Sequence, residues 1–132
     1  LDTLRAVLRD RYHILTLYGR RVIRPVLRSE RRGTDTTGRR LLRRVRKLMT
    51  REDIVPDASA YAILNDALQR SQALATVYRF KKQLKALWTH AASDGVGRLE
   101  RLETWCNEAE RSGIKALQDF ASILRGYTLQ AA

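Results

Sequence analysis

Apolar side chains recur at steps of three and four residues along almost the whole chain, and no window alternates polar with apolar long enough to form a strand. That period matches the 3.6-residue turn of an amphipathic helix, not the two-residue repeat of a half-buried sheet. The expected fold is all-α: a single compact bundle of about five to six helices, forming one domain over residues 1–132. At 132 residues the chain is long enough for one helical core and too short for two, and its 44% hydrophobic content is ordinary for a globular protein. Position 1 is Leu and the helical pattern starts almost at once, so the sequence reads as a piece of something longer.

The first stripe comprises Leu4, Leu8, Tyr12, Leu15, Tyr18, Val22 and Val26, on a helix from about Asp2 to Arg28. Pro25 lacks an amide donor and predicts a kink or an early end near Arg21 to Arg24. Ser29 to Gly38 reads as a polar loop ending in a helix cap. A second helix, Thr37 to Met49, gathers Leu41, Leu42, Val45, Leu48 and Met49 on one side and Arg39, Arg40, Arg43, Arg44, Arg46 and Lys47 on the other. Asp57 or Ser59 caps a third helix through Tyr61, Leu64 and Leu68, and Ser71 caps a fourth reaching His90. The fourth helix turns Leu74, Val77, Tyr78, Leu84, Leu87, Trp88 and the stem of Lys81 inward, and a Ser93-Asp94-Gly95 turn ends it. A fifth helix, Val96 to Ser112, buries Leu99, Leu102, Trp105, Cys106 and Ala109. Gly113 is placed for a left-handed C-cap with Ile114 as its apolar contact, before a last helix that runs to about Tyr127 with Leu117, Phe120, Ala121 and Leu124 inward.

Charge narrows the function classes. The chain carries 26 Lys and Arg against 14 Asp and Glu, a net charge of +12. Residues 1–56 hold sixteen of the basic and six of the acidic side chains, so the excess sits in the N-terminal part. A one-sided basic field implies an anionic partner: nucleic acid, an acidic protein or an anionic membrane face. One cysteine, Cys106, cannot form an internal disulfide and fits a reducing, cytosolic compartment. No stretch approaches the 18 apolar residues of a membrane span, and no signal peptide opens the chain.

No catalytic chemistry is legible. His13 and His90 stand far apart, without the i, i+4 partners that a metal site requires. Cys106 adjoins Trp105 on an inward face, where a thiol fills space. Gly95-Val96-Gly97 follows no strand and lacks the third glycine of a phosphate loop. Glu108 and Glu110 point about 100° apart, and Glu100 and Glu103, with Arg98 and Arg101 nearby, read as a salted surface. Tyr78-Arg79-Phe80-Lys81-Lys82 interleaves aromatic and basic residues as base-stacking surfaces do, but its helical spacing places the rings in the core. No catalytic, cofactor-binding or metal-binding residue is assigned; the basic face of the second helix is the candidate site for an anionic partner.

Five blocks carry a family resemblance: VLRDRYHIL at 7–15, RRVIRPVL at 20–27, LLRRVRKLMTRED at 41–53, RSQALATVYRFKKQLKALW at 70–88 and WCNEAERSGIKALQDFASILRGYTL at 105–129. On these the chain resembles the C-terminal cytosolic extension of bacterial membrane-bound fatty acid desaturases of the delta-nine type. The middle and last blocks also resemble the helical portion of insertion-sequence transposases. The first resemblance implies an iron-dependent oxidoreductase as parent, with a di-iron centre held by HxxxxH and HxxHH boxes. His13 and His90 match neither box, so no iron ligand carries over, and no acidic triad of a transposase can be placed either. The leading expectation is therefore a non-catalytic tail at the cytoplasmic face of the inner membrane. It would use Arg39, Arg40, Arg43, Arg44, Arg46 and Lys47 to dock on an anionic membrane surface or an acidic electron donor or acyl carrier. The alternatives are a helical DNA-binding piece of a transposase and a homodimerisation module with the first helix as its seam.

Overall fold

Two positions shape the N-terminal third of the chain: Asp10, whose backbone leaves helical geometry, and Pro25, which has no amide to donate. The computed structural model describes residues 2–50, 57–89 and 95–127. Among these the chain forms α1 (Asp2–Leu8), α2 (Arg11–Tyr18), a turn of π-helix (Gly19–Ile23), α3 (Arg24–Arg32), α4 (Thr36–Thr50), α5 (Ala58–Arg70), α6 (Gln72–Thr89), α7 (Gly95–Glu110) and α8 (Lys115–Arg125). The fold is all-α, with no strand among the described residues.

The first helix expected from the stripe is not one helix. The amides of Arg9 and Asp10 turn back to the carbonyls of Ala6 and Val7, both at 3.1 Å, which closes α1. Asp10 then sits outside helical geometry at the start of α2 (φ −126°, ψ 52°), and its carboxylate accepts the Tyr127 hydroxyl instead of capping the helix. The Leu8 carbonyl left open by the break accepts the Trp88 indole N–H at 2.9 Å. Because the helix restarts at Arg11, its phase shifts. Leu4, Leu15, Tyr18, Val22 and Val26 of the expected stripe are buried, but Ile14 turns inward beside them and Tyr12 stands 80% exposed.

Pro25 does not end the helix as expected. One turn widens instead, the Arg24 amide reaching back five residues to the Gly19 carbonyl, and α3 continues through the proline to Arg32. The backbone stays helical through the junction (Ile23 φ −66°, ψ −50°; Arg24 φ −61°, ψ −45°), so the wide turn, not a helix start, accommodates the proline. The polar loop expected over Ser29 to Gly38 shrinks to residues 33–35. Gly33 closes α3 (its amide to Glu30 O, 3.2 Å) and Asp35 Oδ1 accepts the Gly38 amide at 2.8 Å to open α4.

The later helices follow the reading more closely. Asp57, not Ser59, caps α5 by accepting the Ala60 amide at 2.8 Å, and the Ser71 hydroxyl accepts the Leu74 amide at 3.1 Å to open α6. Tyr61 is 48% exposed, so α5 packs by Leu64 and Ala67 instead. His90 and the turn at Ser93 and Asp94 lie outside the described residues, and Gly95 already begins α7. Gly113 has φ +76°, with Ile114 packed on the core beside it. The last helix stops at Arg125, two residues short of the expected end.

α6 is the hub. Tyr18 on α2 donates its hydroxyl to Val77 O of α6, and Trp105 on α7 donates its indole N–H to Phe80 O at 2.9 Å. From α6 itself, Lys81 sends its ammonium to Met49 O of α4 at 2.5 Å, while its stem lies buried. Met49 lies in the last turn of α4, where free carbonyls gather partial negative charge, so a cation there is favoured. Around the hub, Tyr18, Phe80, Trp105 and Phe120 stack edge to face, with centroids 5.2–6.2 Å apart. The Tyr78–Lys82 segment is thus anchored in this core: Phe80 is 4% exposed and Tyr78 is half-buried. Among the described residues no helix is long and apolar enough to cross a membrane.

Candidate nucleic-acid interface

The apolar stripe of α4 fixes where its charge must go. Leu42, Val45 and Met49 are buried, with Leu41 and Leu48 at the margin, so Arg39, Arg40, Arg43, Arg44, Arg46 and Lys47 all face solvent. α3 packs alongside α4 and does the same with its own sequence. Val26 and Leu27 turn inward, and Arg24, Arg28 and Arg31, spaced four and three residues apart, line the outer side.

The two basic rows meet across a hollow of about 640 Å³. Arg24, Arg28 and Arg31 form one wall, Arg43, Arg44, Arg46 and Lys47 the other, and Leu27 and Leu42 lie between them. Among the described residues the lining thus holds seven cations, no carboxylate and no aromatic ring. None of the seven has a carboxylate partner among the described residues. Like charges gathered without counter-charges repel one another, and an incoming anion relieves that repulsion. Arg in particular presents a planar fork that fits phosphate oxygens in pairs.

Of the six residues expected at the site, Arg43, Arg44, Arg46 and Lys47 line the hollow. Arg39 and Arg40 sit on the first turns of α4, exposed but outside the lining. Arg24, Arg28 and Arg31 escape a reading of the sequence alone, because a loop from Ser29 and a helix end near Arg24 would leave no α3 to carry them. The spacing of those three arginines is nonetheless a usable signal.

Other chemistry-bearing residues are held in structural roles. The Cys106 thiol is buried, and burial pushes its pKa up to about 11, the reverse of what a nucleophile needs. His13 is half-buried, its ring tilted against Tyr127 at 6.2 Å. Glu110 is held in a two-pronged pair by Arg125 (Nε to Oε2 2.9 Å, a terminal nitrogen to Oε1 3.0 Å), which holds its carboxyl below the usual range. Among the described residues no three His, Cys, Asp or Glu side chains gather as metal ligands. A second hollow of about 330 Å³ between α6 and α7 is mostly apolar, with Arg101 and Glu108 both at its edge.

Comparison with known proteins bears on the partner. A sequence profile for transposases of the ISL3 type matches residues 5–130. The chain is also 33% identical over 120 residues to the transposase for insertion sequence element IS1001 of Bordetella parapertussis. That alignment covers 89% of this chain and 29% of the relative, so the chain spans under a third of that transposase's length. No solved structure matches. These matches overturn the desaturase reading. The shared blocks are helix-packing patterns, which unrelated helical domains can hold in common, and the profile ties them to transposases over nearly the whole chain. The acyl-chain oxidoreductase parent falls with it, as do the membrane-face location and the docking on a lipid surface, electron donor or acyl carrier that depended on that parent.

Proposed function

Since the chain belongs to the ISL3-type transposase family, we propose that it is a helical module by which a transposase holds nucleic acid, with the groove between α3 and α4 as the binding surface. One observation carries the reading: seven cations, with no carboxylate partner among the described residues, converge on one hollow. Nucleic acid is the polyanion that a transposase meets, and counterion release from its phosphates rewards such a cluster.

The test is the salt dependence of binding, measured by fluorescence anisotropy with a labelled short DNA duplex. Changing Arg28, Arg43 and Arg46 together to Gln should weaken binding and flatten the plot of log affinity against log salt. The slope should fall by about 0.9 for each phosphate no longer neutralised, or roughly 2.7 if all three side chains touch phosphate. All three side chains are exposed, so the variant should keep its helical circular dichroism. Unchanged affinity and slope in a folded variant would rule the groove out as the binding surface.

A further inference from the structure

The geometry points to a sequence-blind saddle: the α3–α4 groove takes the sugar-phosphate ridge of duplex DNA and reads no bases. This rests on the proposed function above and specifies what that surface can recognise.

Shape decides it first. Base edges lie at the bottom of the major groove, which is about 12 Å wide and about 8.5 Å deep, so reading them takes a convex element that enters. A helix with its side chains is about 10–12 Å across, and two packed helices lie about 8–10 Å apart. The cations of α4 share one hollow with those of α3, so the basic surface is two helices wide. At roughly 20 Å, that surface cannot enter. The cations line a hollow, and a hollow fits the ridge of a duplex. The backbone is that ridge.

Chemistry agrees. Between the walls lie Leu27 and Leu42, 3% and 7% exposed, which offer nothing to a base edge. Among the described residues every polar group lining the hollow is a cation, with no Asn or Gln to pair with adenine and no carboxylate to accept from cytosine. Single strands are disfavoured by the same lining, because proteins that hold them add aromatic rings on which bases stack. The exposed tyrosines, Tyr12 and Tyr61, stand on α2 and α5, and neither lines the groove.

The reach of the wall sets the expected strength. Arg24 to Arg31 covers seven residues, roughly 10 Å of helix at about 1.5 Å each. One strand of duplex advances about 3.4 Å per phosphate, so each wall meets about three phosphates. At about 0.9 per phosphate the salt slope should then lie between about −2.7, if both walls share three phosphates, and about −5.4, if each meets its own three, short of the roughly −6.3 of seven independent cations.

The decisive measurement compares affinities of the chain for AT-only, GC-only and mixed duplexes of equal length, the corresponding single strands and a matched RNA duplex, at about 150 mM salt. Expected are DNA duplex affinities within threefold of one another, with single strands at least tenfold weaker. Arg28→Gln and Arg43→Gln should weaken every duplex by a similar factor. A tenfold preference for one duplex sequence that either variant abolishes would overturn the saddle in favour of base reading. Single strands or duplex RNA bound as tightly as duplex DNA would overturn it in favour of a general polyanion surface. Each of these outcomes leaves the nucleic-acid function standing, whereas no binding to any of the probes removes both.

Discussion

Trp105→Ala should be among the most damaging single substitutions in this chain, and the structure sets its size. The indole is 3% exposed and meets Tyr18, Phe80 and Phe120 edge to face at 6.2, 5.6 and 5.9 Å. Truncating a buried Trp costs about 3–5 kcal/mol, and edge-to-face pairs add about 0.5–1.5 kcal/mol each beyond burial, which places this site at the upper end. The indole N–H also ties α7 to Phe80 O of α6. A loss of about 5 kcal/mol compares with about 5–15 kcal/mol for a whole domain. It corresponds to a melting-point drop of roughly 15–25 °C at this chain length. Trp105→Phe separates the contributions: it keeps a ring in the cluster and removes the hydrogen bond, so it should cost about 1–2 kcal/mol beyond its smaller volume. Thermal and urea unfolding followed by circular dichroism measure both. If Trp105→Ala melts within about 5 °C of the parent, the aromatic cluster is not the keystone described here.

Two further substitutions test the closures at the chain's turns. Gly113→Ala should destabilise by about 1–2 kcal/mol through backbone strain alone, because φ is +76° and a Cβ there would meet nothing within 4 Å. Gly113→Asn should cost less, and equal melting points for Gly, Asn and Ala would refute the left-handed cap. Burial, and after it the hydrogen bond to Asp10, raises the Tyr127 phenol from 10.0 to about 12. The folded state therefore favours the protonated phenol: this stabilisation is complete below pH 10 and is lost as pH rises toward 12. Tyr127→Phe should show a shallower alkaline fall in melting temperature than the parent, and parallel curves over that range would sink the assignment.

Much of the fold could be read from the sequence where one period runs unbroken. α6, α7 and α8 bury Leu74, Val77, Leu84, Leu87, Leu99, Leu102, Trp105, Cys106, Ala109, Leu117, Phe120, Ala121 and Leu124 as their spacing requires. In the first thirty residues the same reasoning places Leu4, Leu15, Tyr18, Val22 and Val26 correctly in the core but fails at Tyr12, for a physical reason. A break and a wide turn each change the helical phase, and an averaged stripe passes over both, which is how exposed Tyr12 comes to be placed inside. The tie between Asp10 and Tyr127 spans 117 positions, and no local pattern announces such a contact. The candidate site is half legible for the same reason: the basic face of α4 follows from amphipathicity, but its opposite wall depends on α3 surviving Pro25. Family membership is the weakest inference from the residues, because helix-packing patterns recur among unrelated proteins.

The wide turn at Gly19–Ile23 makes the direction in which Arg24, Arg28 and Arg31 point a matter of counting. Each residue of an α-helix rotates the chain by about 100°, so a deletion that restored the regular ladder there would swing everything downstream by about that angle. No arginine would be removed and the net charge would stay the same. The α3 wall would nonetheless face away from α4, with its charges in the wrong sector. Side-chain identity along Gly19–Ile23 can therefore drift, provided its polar and apolar character is kept, while its length cannot. In this segment natural selection should act more strictly on insertions and deletions than on substitutions.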